Sequence, residues 1–352
     1  MPRLLITGGA GFVGSHCLKR LQAQGHDCVV FDNLSTGRRE FARNAPLIVG
    51  DLRSESDLER LFASGRFDAV LHFAGLSSVA ESVAFPAMYF DTNVRGTELL
   101  LRAMERAKIR TLVFSSSCAV YGAPADQPIA ETAALAPINP YGETKLVCER
   151  MIEKWAVEQE ARSVRLRYFN AAGADPELDI GEDHERESRL IPLALDALIG
   201  RRPPLRLYGN GYPTPDGTAV RDFVHVCDLA DAHAAALDYL LDGGPNTALN
   251  LGTTTGYSVR QVLDEIENVT GRPVPVRISE PRQGDPPILV GDSTRAKSTL
   301  RWQPQRSTLP VTIGDAWQWH QRRFAAAATA AGSSLQATQG PEQVVSILSV
   351  CS

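Results

Sequence analysis

The chain has 352 residues, 43% of them apolar and 22% charged, the balance of an ordinary globular protein rather than of a disordered chain, a collagen or a coiled-coil rod. A formal net charge of −5 leaves no basic surplus for wrapping nucleic acid, and no run of about 18 apolar residues is present to span a membrane. The length suggests about two domains.

Leu4–Thr7 reads as a strand that runs into glycines. A helical pattern follows over Ser15–Gln24, with Gly25 as its C-cap. Further strands are expected at Cys28–Asp32, Leu47–Val49, Ala69–Phe73, Thr111–Phe114 and Val164–Tyr168, with helices at Asp57–Phe62, Val94–Ala107 and Tyr141–Glu160. This alternation implies right-handed βαβ units on a parallel sheet. Past about Asn170, Gly, Pro and Asp become frequent, and shorter apolar runs mix with helices at Leu190–Ile199, Asp228–Leu241 and Ser258–Thr270. The expected architecture is α/β: a Rossmann-type doubly wound parallel sheet over 1–168 and a smaller mixed α/β domain over 169–323, with a segment near 219–245 returning to the first domain. From Phe324 to Ser352 the only charged residue is Glu342, so 324–352 is expected to be a disordered tail. Six cysteines show no Cys-x-x-Cys spacing. With an N-terminus lacking signal-peptide anatomy, they point to a reduced, cytoplasmic setting.

Gly8-Gly9-Ala10-Gly11-Phe12-Val13-Gly14 follows the first strand and opens the first helix. Such glycines permit a tight turn, close backbone approach to a pyrophosphate and close helix–sheet packing. The helix N-terminus adds free N–H groups and a positive dipole end. Asp32, at the end of the second strand, can accept bonds from ribose hydroxyls and would repel a 2′-phosphate, which favours NAD over NADP. The competing reading is a glycine-rich turn of some other α/β fold; the flanking strand, helix and acid weigh against it.

Tyr141-Gly142-Glu143-Thr144-Lys145 puts a phenol and an ammonium one helical turn apart on one face. A tyrosine is a poor base at neutral pH until a neighbouring cation favours the phenolate. Ser115-Ser116-Ser117 ends the fifth strand, at the carboxyl edge where ligands of such sheets bind. Ser117 can bridge a substrate hydroxyl and Tyr141.

The G-x-x-G-x-x-G spacing together with Y-x-x-x-K resembles the extended short-chain dehydrogenase/reductase family. Further stretches are similar to its NAD-dependent epimerase/dehydratase branch: Asp32-Asn33-Leu34, His72-Phe73-Ala74-Gly75-Leu76, Asp91-Thr92-Asn93-Val94, Arg167-Tyr168-Phe169-Asn170, Tyr208 through Thr218, Val220 through Val226, and Gly284-Asp285-Pro286-Pro287. The likeness runs from near residue 3 to about residue 320. It implies NAD as cofactor, a UDP-sugar as substrate, no metal and a homodimer through the helices of Val94–Ala107 and Tyr141–Glu160, which carry Leu99, Leu100, Met104, Leu146, Met151 and Trp155. The implied reaction is interconversion of UDP-glucose and UDP-galactose by transient oxidation at the sugar C4, the hydride returning to the opposite face. Tyr141 would be the base, tuned by Lys145 and assisted by Ser117. The implied cofactor contacts are Gly8, Gly11, Phe12, Val13, Gly14, Asp32, Asn33, Asp51, Leu52, Phe73, Ala74, Gly75, Ser77, Asn93 and Phe169, with Tyr141 and Lys145. Those implied for substrate are Ser117, Asn170, Arg189, Leu190, Leu207, Tyr208, Arg221, Arg282, Asp285 and Leu289.

Some positions depart from the family pattern. Ser77 stands where a lysine is frequent, Thr92 replaces the first asparagine of Asn-Asn-Val, and Arg189 replaces Asn or His before Leu-x-Pro, facing either a phosphate or solvent. Leu289, near the sugar C2 substituent, leaves N-acetylated sugars open. A 4,6-dehydratase would need an acid pair where Cys118-Ala119 stand. An enzyme for UDP-GlcNAc, UDP-GlcA or a UDP-pentose is the alternative, and a non-catalytic NAD-binding scaffold is the distant one.

Overall fold

The structure is a computed structural model that describes residues 1–185, 187–280 and 285–334. Strands β1 (Arg3–Thr7), β2 (Asp27–Asp32), β3 (Leu47–Val49), β4 (Ala69–His72), β5 (Thr111–Ser117) and β6 (Arg162–Tyr168) are joined by Thr247–Leu251 in one seven-stranded parallel sheet. Its order is β3-β2-β1-β4-β5-β6, with Thr247–Leu251 at the far edge. The direction of winding reverses between β1 and β4, and the crevice above that point is where open α/β sheets bind ligands.

Helices cover both faces. Successive residues of a strand point to opposite sides, so Leu4 and Ile6 join one core with Leu18 and Leu21 of α1 (Phe12–Ala23), while Leu5 joins the other. That second core takes Leu58 and Leu61 of α2 (Glu55–Ala63). Short helices α3 (Val79–Ala84) and α4 (Pro86–Tyr89) precede a wide π-helical stretch, Phe90–Arg95, and then α5 (Gly96–Arg106). α6 (Pro140–Glu158) completes this face. It starts where Asn139 accepts the Gly142 N–H at 2.8 Å, with Pro140 at the first helical position. A buried ion pair fixes its middle: Arg167 on β6 donates to Glu149 at 2.9 Å through Nε and 2.5 Å through Nη2, and Ser116 on β5 donates to the same carboxylate.

The second unit is built from small pieces: β7 (Asn170–Ala172), α7 (Leu190–Leu198), β8 (Leu205–Tyr208), β9 (Val220–Arg221) and β10 (Phe223–His225). The chain then returns to the first unit. α8 (Val226–Leu241) packs Leu229 and Leu237 into the core beside α1, and β11 (Thr247–Leu251) pairs parallel with β6. The return therefore extends past the expected 219–245. β12 (Tyr257–Ser258), α9 (Val259–Thr270), β13 (Val276–Ser279) and β14 (Ile288–Leu289) go back to the second unit. β14 and β12 flank β9, β13 pairs with β8, and β10 with β7. α10 (Thr294–Leu300) adds Ala296 and Leu300 to the first core. α11 (Leu309–Ser334) closes the second unit, packing Leu309 and Ile313 against Ile191, Leu195, Val262 and Ile266.

β5 runs on to Ser117, so the three serines end the fifth strand as expected. One expectation needs correction. α11 continues to Ser334, so the stretch from 324 begins as helix, as its alanines favour. Phe324 belongs to the body: the Arg201 guanidinium lies 3.5 Å from its ring centroid and the His320 ring 4.7 Å away. Residues 335–352 lie outside the described residues.

Candidate active site

A cleft of ≈ 1190 Å³ opens at the carboxyl edge of the sheet, between the two units. Gly8, Gly11, Phe12, Val13, Gly14, Asp32, Asn33, Asp51, Leu52, Phe73, Ala74, Gly75, Ser77, Ser117, Tyr141, Lys145 and Phe169 all line it. So do Asn170, Arg189, Leu190, Leu207, Tyr208, Arg221, Asp285 and Leu289.

At the glycine turn the backbone leaves no room for side chains. Gly8 has φ +71°, and a Cβ there would fall 2.5 Å from the Ala74 N. A Cβ on Gly14 would fall 2.3 Å from the Gly8 carbonyl oxygen. Gly11 caps α1 with no side-chain bond, and the first turn carries no acid, so free N–H groups and the dipole end favour an anion. These cradles fit a dinucleotide diphosphate. Asp32, 8% exposed, accepts the Ala10 N–H at 3.0 Å and the Leu34 N–H at 2.8 Å. Burial raises its pKa, and those two amides oppose the rise. Asn33 donates to Asp51 at 3.1 Å, and Arg53 holds the Asp51 carboxyl well below the usual carboxylate range.

Asn93 differs from expectation. It does not line the cleft; its neighbour Thr92 does. Its Oδ1 accepts the Leu76 N–H at 2.8 Å, and its Nδ2 donates to the Leu76 carbonyl at 3.1 Å and to Thr144 Oγ1 at 3.0 Å. Its amide is spent on tying the loop after β4 to α6, which leaves it a positioning role. Arg282 lies outside the described residues.

Tyr141 and Lys145 are 7% and 6% exposed on α6. Lys145 Nζ donates to the Ser115 carbonyl at 2.8 Å and stands 4.9 Å from the Phe114 ring centroid. Burial lowers the ammonium pKa, while Cys148 and Glu149 raise it. Burial raises the Tyr141 phenol, Tyr168 adds to that, and the Ser117 hydroxyl and the Arg189 charge oppose it. Beneath Lys145, His72 bridges Thr7 (2.7 Å, Nδ1) and Thr97 (3.0 Å, Nε2). Thr97 already donates to the Asn93 carbonyl, so Nε2 is the donor to Thr97 and Nδ1 accepts from Thr7. Burial pushes the His72 pKa down to about 3, with Lys145 adding to the drop.

On the opposite wall, Arg221 pairs with Asp285 and donates to the Val220 carbonyl. β9 and β14 hold it, with Leu289 opposite Arg221 in register. Leu207 and Tyr208 end β8. Arg189 faces the cleft rather than solvent alone, bonded to Glu182 and, at 3.2 Å, to His184.

The sequence reading missed Tyr168, Glu182, His184 and Glu187, which also line the cleft. Tyr168 meets Ser115 Oγ at 2.8 Å; its signal was its place between Arg167 and Phe169 in an already noted stretch. The crowding of Glu182, His184 and Glu187 just before Arg189 was visible in the sequence, but only the fold turns all of them to one spot. Glu182, His184 and Glu187 also form a group with metal-ligand spacing; Glu182 and His184 hold the Arg189 guanidinium, and Glu187 accepts the Arg189 backbone N–H at 2.8 Å.

Residues 4–252 match the family described as the NAD dependent epimerase/dehydratase family. A UDP-glucose 4-epimerase of Rhizobium meliloti (strain 1021) is 49% identical over 320 residues, covering 91% of this chain and 97% of that protein. The crystal structure of UDP-glucose 4-epimerase from Brucella ovis in complex with NAD superposes with a TM-score of 0.88 at 45% identity, over 90% of this chain and 98% of that one. The Bifidobacterium longum UDP-glucose 4-epimerase, in complex with NAD+ and UDP, gives 0.87 at 35% identity, over 92% and 99%. A family match over most of the chain and relatives this similar along nearly their whole length agree with the glycine turn and the Tyr141–Lys145 pair: the chain belongs to the NAD dependent epimerase/dehydratase family.

Proposed function

We propose that this chain is an NAD-dependent isomerase that interconverts UDP-glucose and UDP-galactose. The observation that carries the reading is the placement of Tyr141, Lys145 and Ser117 on one lip of the cleft, between the glycine turn and the Arg221–Asp285 pair. When bound at the glycine turn, NAD supplies acceptance and return of a hydride at the sugar C4. Tyr141 takes the proton of the 4-hydroxyl, relayed through Ser117 Oγ, and later gives it back. The buried Lys145 ammonium and the cofactor's positive ring together shift Tyr141 toward the phenolate that burial alone disfavours. Asn170 and Arg221 hold the diphosphate, Asp285 the uridine ribose, and Leu207 and Tyr208 the uracil. Because the nucleotide carries the binding, the oxidised sugar is free to turn and present its other face.

The reading includes a homodimer through α5 and α6. Leu99, Leu100, Met104, Leu146 and Trp155 are buried in this chain's own core, so the contact would use Met151, the exposed Val157 and polar residues; sedimentation tests it. It also includes a cytoplasmic setting, supported by five unpaired cysteines among the described residues. None of the described helices is long and apolar enough to cross a membrane.

Tyr141→Phe should keep NAD and UDP binding and lose about 10²- to 10⁴-fold in turnover. Turnover surviving in the variant, or no interconversion of UDP-glucose and UDP-galactose by the parent chain, would overturn the assignment.

A further inference from the structure

We propose that Arg189 is a cation shared by two diphosphates, that of the dinucleotide on one wall and that of the nucleotide sugar on the other. The proposal rests on the function proposed above and assigns a task to a residue that departs from the family pattern.

Arg189 belongs to the second unit, where it is the residue before α7. Its guanidinium nevertheless reaches the first unit. Cζ lies 5.8 Å from the ring centroid of Phe12, the first residue of α1, and Nη2 lies 3.4 Å from Ser77 Oγ in the loop after β4. It therefore crosses the cleft at the uncapped start of α1, where the backbone already favours an anion.

The other cations lining the cleft, among the described residues, are Lys145, Arg202, Arg206 and Arg221. Lys145 is buried beneath Tyr141 on the Ser115 carbonyl. Arg202 is paired with Asp196, and Arg221 with Asp285. Arg206 is an exposed residue of β8. Position 77, beside the glycine turn, offers only a neutral hydroxyl. Among these cleft-lining cations, Arg189 is the one whose contacts reach Phe12 and Ser77 on the first wall, and it is delivered from the second.

Its fork is also held and partly free. Glu182 and His184 share Nη1, while Nη2 makes one long contact, to Ser77. A guanidinium has five donors in a planar fork suited to phosphate oxygens, so this geometry leaves donors for a second anion without releasing Glu182. Bound dinucleotide and bound nucleotide sugar would then each strengthen the other's hold through one residue.

The test replaces the pair together, Arg189→Asn with Glu182→Gln, so that no buried carboxylate is left stranded. Arg189→Gln alone is a second arm should the double variant fail to fold, folding being read by thermal melts. Two quantities are measured: NAD released by heat per purified chain, and the Kd for UDP by calorimetry. The expected result is a fall of severalfold in retained NAD and about a tenfold rise in the Kd for UDP. Adding Ser77→Lys should restore the NAD content but not the UDP affinity. A folded variant that changes only one of the two quantities, or neither, overturns the sharing. A parent chain that retains no NAD or binds no UDP would instead sink the functional reading beneath it.

Discussion

The cleft has two walls made in different ways. On the first unit the wall is backbone: Gly8 and Gly14 pack against Ala74 and one another with no room for a methyl group, and Asp32 is pinned by two amides. On the second unit the wall is charge: Arg221 rests on Asp285 and Arg189 on Glu182, carried by two-residue strands and a helix start. The difference separates two routes to anion binding. The backbone wall is set before any ligand arrives, whereas on the charged wall a phosphate competes with Asp285 for Arg221 and adds to Glu182 on Arg189.

The contrast can be broken from either side. Gly14→Val should have the largest effect, because the obstructing atom is backbone and cannot turn aside. We expect a chain without co-purifying NAD and destabilised by about 3 kcal/mol, read by heat release and denaturant melts. Arg221→Ala should weaken UDP binding about 10- to 100-fold, as the loss of a charge-assisted bond worth about 1.5–3 kcal/mol requires, with NAD content unchanged. An equal fall in both would show that the walls are not independent. Leu289→Ala enlarges the cleft beside Arg221 and should raise kcat/KM for UDP-GlcNAc relative to UDP-glucose about tenfold, measured by competing the two sugars.

The smallest effect is one of pH. Burial holds His16 at about 4, His72 at about 3 and His233 at about 4, and all three pack into the first unit. Each folded value lies below the unfolded 6.5, so the folded chain binds fewer protons and stability falls as pH drops from about 6.5 toward 3–4. His72→Gln should make the fall in melting temperature between about pH 6.5 and 3 shallower, read by melts across that range.

Much of the first unit was legible because its signals are local. Alternating apolar strands, a glycine turn and Tyr141 four residues before Lys145 are contained in short windows. Asn93 was not, since its task is set by Leu76 and Thr144, which only the fold brings to it. The Glu182 cluster and Tyr168 escaped for the same reason. The end of the last helix, 324–334, was placed in a tail because low charge was weighed and the helix propensity of alanine was not. The boundary of the first unit was drawn too early because Thr247–Leu251, a short apolar run, looks alike at an edge or within a sheet.

That strand has a consequence for how the molecule is made. β6 lacks its outer neighbour until Leu251 has been synthesised, some eighty residues after Tyr168. During translation the β6 edge stays open while the chain builds part of the second unit. The two units cannot be separated by one cut, and a graft of the second unit from a relative must be spliced after β6, on either side of α8–β11 and again around α10.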